Sequence, residues 1–175
     1  MINKILNDYM NSRPEDIFIH YNDNDITYEN MAYAVEGRIK SMQAINIKKG
    51  VLVGLYFDNS LDLIEILFSC IELQAVPLII PTNFTSNEFD NLNKGIKFDY
   101  IITNWKKLNN LKNSKTPTFP IEELSPGIGG CIPSKKIKFN NKQIACLLLT
   151  SGTTGSPKVV QISLKNIIES CNAWD

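Results

Sequence analysis

The sequence predicts an α/β fold, built as a mostly parallel sheet with flanking helices. Short apolar runs, typical of strands buried on both faces, alternate with segments whose apolar residues recur at helical spacing. The links between these segments are short. Strand, helix and strand in this order favour right-handed crossovers onto a parallel sheet. The 175 residues are enough for one domain, or one subdomain, with its own core.

Composition excludes several classes of function. The 18 basic and 18 acidic residues cancel, which argues against a large surface for nucleic acid or for an anionic membrane. No apolar stretch approaches the roughly 20 residues that cross a bilayer, and the first residues lack the apolar core of a signal peptide. Four cysteines without a CxxC pair, together with one histidine, argue against zinc. We therefore expect a cytoplasmic protein without a metal ligand set in this chain.

The first predicted unit is a strand followed by a helix. Residues 17–20 have the composition of a short strand, and residues 22–25 that of a turn. Thr27 is then placed to cap a helix. The apolar residues of that helix recur at helical spacing: Met31, Val35, Ile39 and Met42. The run from Lys48 to Gly50 is expected to end the unit.

The second predicted unit begins with a strand at residues 51–57, VLVGLYF, which is too short for a buried helix. Asn59 or Ser60 caps the next helix. Its inward stripe is predicted to contain Leu61, Ile64, Leu67, Phe68 and Ile71. Residues 76–80 form a second buried strand.

A third helix has the clearest start signal in the chain. Thr85 and Glu88 have the spacing of a capping box, and Phe84 and Phe89 occupy the two positions of a hydrophobic staple. We expect the helix to end near Gly95, because glycine readily takes the left-handed conformation of a helix cap.

The whole chain divides into three parts. Residues 1–103 form the βαβ-type units, which close with a third strand at residues 100–103, YIIT. Residues 104–141 are rich in proline and glycine and predict an irregular connection, with a short strand near Phe119. Residues 142–175 predict a strand, a loop, a second strand and a helix.

That last part is predicted in more detail. Its strands are residues 144–150 and 159–162, and Ser163 caps the helix. One face of the helix is expected to carry Leu164, Ile167, Ile168 and Cys171.

The loop between these two strands carries the predicted chemistry. Residues 150–158 read TSGTTGSPK. Two glycines three residues apart let the backbone turn tightly and direct its N–H groups inward, which forms a nest for an anion. Hydroxyls add short donors, and a lysine adds a positive charge. The predicted binding residues are Thr150, Ser151, Gly152, Thr153, Thr154, Gly155, Ser156 and Lys158. The natural ligand of such a loop is a polyphosphate.

This loop is not a Walker-type P-loop. The Walker pattern has lysine directly after its second glycine, whereas Ser156 and Pro157 intervene here. It is not the GxGxxG pattern either. A Walker-type NTPase is therefore a minor alternative.

At these residues the chain resembles a known family. TSGTTGSPK resembles the signature of the adenylate-forming superfamily, which contains acyl-CoA and aryl-CoA synthetases, luciferases and the adenylation domains of peptide synthetases. Segments upstream resemble the same family in order: residues 26–30 (ITYEN), 53–56 (VGLY), 59–60 (NS) and 75–78 (AVPL). Two positions depart from its pattern, because Val159 stands where glycine is usual and Leu164 where histidine is frequent.

The resemblance implies a fold, a reaction and partners. The chain would be the N-terminal subdomain of a ligase whose loop holds the β- and γ-phosphates of ATP, with Mg²⁺ expected in the full-length enzyme. A carboxylate attacks the α-phosphate to give an acyl-adenylate and pyrophosphate. The thiol of coenzyme A or a carrier protein then takes the acyl group and AMP leaves. Segments that meet adenine, ribose and magnesium in the family are missing, so we assign no catalytic residue and expect a fragment that is inactive alone.

Three functional readings follow. The first is the N-terminal part of an ATP-dependent, AMP-forming acid–thiol ligase of the acyl- or aryl-CoA synthetase type. The second is a peptide-synthetase adenylation domain. The third is a non-catalytic nucleotide-binding or interaction domain that retains the loop, which the departures at Val159 and Leu164 motivate.

Other reactive side chains are expected to be structural. His20 is predicted to be a surface or packing residue, and Cys146 a core residue. The acidic residues Asp58, Asp62 and Glu65 are expected to form a solvated face rather than a catalytic pair. Three phenylalanines are expected in the core rather than on a base-stacking surface: Phe57, Phe68 and Phe89.

Overall fold

A computed structural model of the chain describes residues 8–111, 114–124, 142–150 and 158–173. Within these ranges, none of the helices combines the length and the apolar character needed to cross a bilayer. Among the described residues, the strands are β1 (Ile17–Tyr21), β2 (Asn24–Thr27), β3 (Leu52–Tyr56), β4 (Val76–Ile79), β5 (Tyr100–Thr103), β6 (Thr118–Pro120), β7 (Ile144–Thr150) and β8 (Lys158–Ser163). The helices with both ends in the described residues are α1 (Tyr28–Ala44), α2 (Leu61–Leu73), α3 (Ser86–Ile96), α4 (Trp105–Leu108) and α5 (Leu164–Asn172). Two 3-10 turns span Asn109–Leu111 and Ile121–Glu123.

A six-stranded sheet forms the centre of the structure, in the order β6-β5-β3-β4-β7-β8. Neighbouring strands from β6 to β7 are parallel, and only β8 runs antiparallel, beside β7. The mostly parallel α/β fold predicted from the sequence is therefore confirmed. In the part of the chain that the structure describes, β6 and β8 lie at the two edges of this sheet.

Helices cover both faces of this sheet. One core cluster joins Val53 and Leu55 of β3 to Ile66 of α2. A second cluster joins Leu78 of β4 to Phe89 of α3. Because β4 follows β3 on one side and β5 returns to the other side of β3, the two connecting helices lie on opposite faces.

The N-terminal region differs from the prediction in one strand. Strand β1 is confirmed, but the turn is limited to Asn22 and Asp23, and the chain returns at once as β2. Asn22 has a φ of 54°, the left-handed conformation that a two-residue hairpin turn uses and that asparagine tolerates. The pattern NDNDIT has too few apolar residues to predict this strand.

Helix α1 begins and packs as predicted. The side chain of Thr27 accepts from the backbone of Asn30, whose own side chain bonds back to the Thr27 N–H. This reciprocal pair is a capping box. The four predicted core residues are all buried: Met31, Val35, Ile39 and Met42. The helix ends at Ala44, a few residues before the predicted stop.

Helix α2 buries two faces rather than the single stripe predicted. Ser60 caps it, and Leu61, Ile64 and Phe68 pack in the cluster around α1. Ile66 and Cys70, which the predicted stripe omitted, are fully buried in the cluster on the sheet. Because the helix lies between the sheet and α1, no single amphipathic period describes it.

Helix α3 confirms the predicted start and corrects the predicted end. The capping box of Thr85 and Glu88 is present, and the two staple residues pack in one core cluster. The helix continues through Gly95 to Ile96, and Lys97 takes the left-handed cap with a φ of 52°. Ile96 packs in the same cluster, so its burial favours the longer helix over an early glycine cap.

The region after β5 is more regular than predicted. Helix α4 and the first 3-10 turn follow β5 directly, and Phe119 lies in β6 as expected for a short strand there. Beyond β6, Ile121 and Leu124 are buried in the core. The proline- and glycine-rich part at 125–141 lies outside the described residues.

Candidate functional site

Strands β7 and β8 bring the two ends of the predicted phosphate loop together. Thr150 and Lys158 form the last pair of this antiparallel ribbon, and the Thr150 hydroxyl donates to the Lys158 carbonyl at 3.4 Å. Both residues are exposed. The other predicted binding residues lie outside the described residues: Ser151, Gly152, Thr153, Thr154, Gly155 and Ser156. The structure therefore shows where the loop begins and ends.

The loop starts at the carboxyl edge of the sheet. Strand β4 pairs with β7 only as far as Leu148, so Leu149 and Thr150 extend past the end of β4. In open α/β sheets, ligands bind outside the carboxyl ends of the parallel strands. The ribbon thus presents the loop on the side of the sheet where a ligand is expected.

The base of the ribbon is fixed to the helices. The Gln143 side-chain amide donates to the carbonyl of Ile71 in α2 at 2.7 Å, and the Gln143 backbone carbonyl accepts from the Leu164 N–H at 2.8 Å. Ile71, Ala145 and Leu164 form a fully enclosed cluster at this point. This contact between three elements sets the direction in which β7 leaves the core.

The two departures from the family pattern have different surroundings. Leu164 is completely buried at the start of α5, where its side chain packs as part of the core. Val159 is 41% exposed and pairs with Leu149 in regular β structure, a conformation that suits a branched side chain. Leu164 therefore has a packing role here.

Helix α5 begins as predicted, with Ser163 and Asn166 forming a capping box. Its predicted face is only partly correct. Ile167 and Ile168 pack against the buried Leu164 cluster, whereas Cys171 is exposed, because this last part of the helix extends past the core.

A polar cluster at the carboxyl ends of β3 and β5 was missed by the sequence analysis. The Lys107 ammonium lies 3.1 Å from an Asp58 carboxylate oxygen and 5.3 Å from the centre of the Tyr56 ring. The Tyr56 hydroxyl accepts from the Asn110 side-chain amide at 3.3 Å. We call these four residues the β3–β5 cluster. No local motif marks them, since the fold alone brings them together.

One acidic residue of the predicted solvated face is buried, which corrects the prediction for Glu65. Glu65 accepts from Arg38 Nε at 3.0 Å, and Asp62 accepts from the same guanidinium at 2.7 Å. Arg38 also donates to the carbonyls of Ile121 and Leu124. Burial raises the pKa of Glu65, although the arginine opposes this. These groups join α1, α2 and the turn after β6, so their role is structural.

The remaining reactive groups agree with their predicted structural roles. His20 is exposed and contacts the Asp25 carboxylate at 2.6 Å. Cys146 is buried, and burial raises the pKa of its thiol. In the part of the chain that the structure describes, no three histidine, cysteine or acidic side chains gather into a group that could hold a metal ion.

The fold defines a class, the open α/β proteins, in which ligands bind outside the carboxyl ends of the parallel strands. The particular family follows from comparison with known proteins. The chain belongs to the AMP-binding enzyme family, whose model matches residues 6–175. The resemblance noted from the sequence is thereby confirmed.

Curated relatives carry the name 2-succinylbenzoate–CoA ligase. The protein of Geobacillus sp. (strain WCH70) is 25% identical over 157 residues, which are 87% of this chain and 31% of that protein. The protein of Bacillus pumilus (strain SAFR-032) is 26% identical over 159 residues, with coverages of 90% and 32%. The chain thus spans about a third of the length of these relatives.

Solved structures share the fold. O-succinylbenzoate coenzyme A synthetase from Bacillus subtilis, in complex with AMP, has a TM-score of 0.81 at 22% identity, over 96% of this chain and 44% of that one. The N-terminal subdomain of Klebsiella oxytoca NpsA has a TM-score of 0.75 at 19% identity, with coverages of 93% and 41%. The chain therefore has the fold of an N-terminal subdomain of the adenylate-forming enzymes.

Proposed function

We propose that this chain is the N-terminal part of an ATP-dependent, AMP-forming acid–thiol ligase of the acyl- or aryl-CoA synthetase type. The observation that carries the proposal is the family match over residues 6–175. The names of the curated relatives support a carboxylic acid and coenzyme A as substrates. A neighbouring Bacillus subtilis structure described as a complex with ATP and a magnesium ion supports that nucleotide and that metal.

The proposed role of the loop is to hold the phosphates of ATP. Thr150 and Lys158 are paired and exposed at the carboxyl edge, so a hydroxyl and an ammonium group flank the loop from both sides. Residues 151–156 add hydroxyls and glycine N–H groups, a donor set that suits phosphate oxygens. Bound Mg²⁺ would neutralise phosphate charge during attack by the carboxylate. The role of this chain is then to bind and orient the triphosphate.

Two alternatives from the sequence remain. A carrier-protein thiol instead of coenzyme A would make the protein an adenylation domain of a peptide synthetase. A non-catalytic domain would retain the loop without forming an adenylate. The cytoplasmic location, and the absence of nucleic-acid and membrane partners, stay predictions.

ATP–pyrophosphate exchange tests the proposal. A full-length protein that contains this chain should catalyse exchange in the presence of its acid, sought in a panel that includes 2-succinylbenzoate. Lys158→Ala removes a charged contact to phosphate, so we expect exchange to fall by about 10- to 100-fold, as for the loss of a charge-assisted hydrogen bond. Thr154→Val should lower it as well.

Lys165→Ala is the matched control, because Lys165 is exposed on α5 and pairs with Glu169 away from the loop. Its exchange rate should equal that of the unaltered protein. Undiminished exchange in both loop variants would refute the role of the loop. A full-length protein that binds ATP but catalyses no exchange with any acid in the panel would favour the non-catalytic reading.

A further inference from the structure

Exposed lysines lie in a row along one edge of the central sheet. Because β6, β5, β3, β4 and β7 run parallel, their amino ends share one edge, which we call the amino edge. Neighbouring strands are about 4.8 Å apart, so this edge extends over about 19 Å from β6 to β7. A lysine stands shortly before four of these strands: Lys48 and Lys49 before β3, Lys97 before β5, Lys115 before β6 and Lys142 before β7. We call these the amino-edge lysines.

Few acidic groups oppose the amino-edge lysines. In the described links that lead into these strands, the exposed carboxylate is that of Asp99, which already accepts from the Leu52 N–H at 2.8 Å. All of the amino-edge lysines except Lys142 lack an ion pair with a carboxylate of the described residues. Since the sequence has equal numbers of basic and acidic residues, the charge of this edge reflects segregation and not an overall excess.

Helix dipoles explain Lys97 but not the row. A cation at the carboxyl end of a helix is favoured by the helix dipole, and this effect falls off within the last turn. Lys97 is the C-cap of α3 and fits this explanation. Lys48 and Lys49 lie beyond Ile45, the C-cap of α1, and Lys115 follows a link after a 3-10 turn. A surface role accounts for these lysines better than the stability of a helix does.

A cleft of about 530 Å³ opens within the row. It lies between the link that precedes β3, which supplies Lys48 and Lys49, and the starts of β5 and β6, which supply Tyr100 and Pro117. This volume is within the range of natural binding pockets. Tyr100 is half-buried and its ring packs against Phe119, so this wall of the cleft is apolar and fixed. The amino edge thus combines positive charge with a concave place for a side chain.

The surroundings of the row favour a polypeptide over a nucleic acid or a membrane. Single-stranded nucleic acids stack their bases on open aromatic side chains, whereas the Tyr100 ring is packed against Phe119. Membrane-surface binding uses exposed apolar side chains that enter the lipid. In the described part of the chain, the large exposed apolar side chains lie elsewhere, near the N-terminus, in α4 and on the β7–β8 ribbon. An extended acidic segment of about six residues would span the row.

We propose that the amino edge is a docking surface for an acidic segment of a partner protein. The carboxylates of that segment pair with the amino-edge lysines, and one of its side chains enters the cleft beside Tyr100 and Pro117. Thr150 and Lys158, the ends of the phosphate loop, lie at the opposite, carboxyl edge, so docking leaves the loop accessible. The inference therefore does not rest on the proposed ligase function.

Binding of a labelled acidic peptide tests the proposal. A fluorescein-labelled oligoglutamate of about eight residues is long enough to span the row. Its fluorescence anisotropy is followed as the full-length protein that contains this chain is added at constant ionic strength, and saturable binding is expected. The absence of saturable binding overturns the proposal.

Two other polyanions serve as comparisons. Labelled oligothymidylate of the same charge should bind more weakly than the peptide, and vesicles of phosphatidylcholine and phosphatidylserine should not sediment with the protein. Tighter binding of the oligonucleotide would assign the surface to nucleic acid, and sedimentation with the vesicles would assign it to a membrane. Either result overturns the proposal.

Matched double variants separate this surface from general charge. Lys48→Gln with Lys49→Gln should raise the dissociation constant of the peptide about fivefold or more, because two ion pairs are lost. Arg13→Gln with Lys106→Gln removes the same charge from exposed residues away from the amino edge, and should change the constant less than about twofold. Equal losses in the two double variants would overturn the proposal.

Pro117→Trp tests the cleft without a change in charge. Pro117 is exposed, and its backbone carbonyl, which accepts from the Ile101 N–H, is retained in the variant. The indole should occupy the cleft and raise the dissociation constant about fivefold or more, whereas an unchanged affinity would overturn the proposal. Circular dichroism establishes that each variant folds. If Pro117→Trp does not fold, the two double variants decide the question.

ATP–pyrophosphate exchange separates docking from the proposed reaction. The Lys48→Gln, Lys49→Gln protein should exchange at the rate of the unaltered protein, because these lysines lie at the edge opposite the loop. A lower rate at unchanged folding would place them in the ligase reaction and overturn the docking role.

Discussion

At the scale of single residues, charge is buried where two helices meet. Arg38 of α1 is 4% exposed, and its guanidinium binds one carboxylate that is equally enclosed, Glu65, and one that is partly open, Asp62. Its remaining donors satisfy two backbone carbonyls after β6. Removing one partner of such a buried pair leaves the other charge uncompensated.

Arg38→Met should therefore lower the free energy of unfolding by about 3 kcal/mol or more. Urea denaturation at neutral pH measures this change. Arg13→Met is the control, because Arg13 forms an exposed pair with Asp16 and its loss should cost less than about 1 kcal/mol. The double variant Arg38→Met, Glu65→Leu should recover part of the loss. Equal losses of unfolding free energy at positions 13 and 38 would contradict the structural role assigned to the buried Arg38 pair.

Glu36 makes stability depend on pH. Burial raises the pKa of Glu36, the nearby Lys40 opposes this, and Glu72 adds to it. A carboxyl with a pKa that is higher in the folded state favours folding when protonated, and this contribution is lost as pH rises through the folded pKa. Glu36→Gln should consequently stabilise the protein at pH 7, and the difference should disappear below the ordinary pKa of 4.5.

Urea midpoints between pH 4 and pH 8 test this expectation. Glu169→Gln serves for comparison, because Glu169 is exposed in its pair with Lys165 and should give a curve parallel to that of the unaltered protein. A Glu36→Gln variant that is less stable than the unaltered protein at pH 7 would show that the contact with Lys40 outweighs burial.

At the scale of elements, helix starts were predictable and helix ends were not. The starts rest on local side-chain bonds, and the capping residues Thr27, Thr85 and Ser163 are visible in the sequence. The end of α3 depends on Ile96 reaching the core, which only the tertiary structure decides. The same holds for α2, because its second buried face exists only once α1 packs on it.

Lys97, the left-handed residue that ends α3, leads to a prediction that compares two glycine variants with opposite expected effects on stability. Lys97 has a φ of 52°, which is strained for any residue with a β-carbon, so Lys97→Gly should stabilise the protein by about 0.5–1 kcal/mol. Lys94→Gly makes the same change inside the helix and should destabilise it by about 1 kcal/mol. Thermal unfolding of the two variants checks the opposite signs. A loss of stability in both would place the helix end elsewhere.

At the scale of the whole molecule, the alternation of apolar runs and helical patterns was enough to predict the α/β class. The two strands that flank the predicted phosphate loop, β7 and β8, were also predictable, because each is a mainly apolar run in the sequence. The β3–β5 cluster was not, because Asp58 and Lys107 approach only through the crossing of β4 back to β5. Local sequence therefore indicates where the loop begins and ends, whereas contacts between separate connections require the fold.

Strand β8 has a consequence for handling the isolated chain. Among the described residues it is an edge strand, and the ribbon that it forms with β7 leaves three large apolar side chains exposed: Leu148, Val159 and Val160. Open, apolar edges of this kind recruit further strands from neighbouring molecules, and a charged side chain opposes that recruitment. Light scattering should therefore show concentration-dependent aggregates of the 175-residue chain. Val160→Lys should suppress them, while Lys165→Val, on α5, should not.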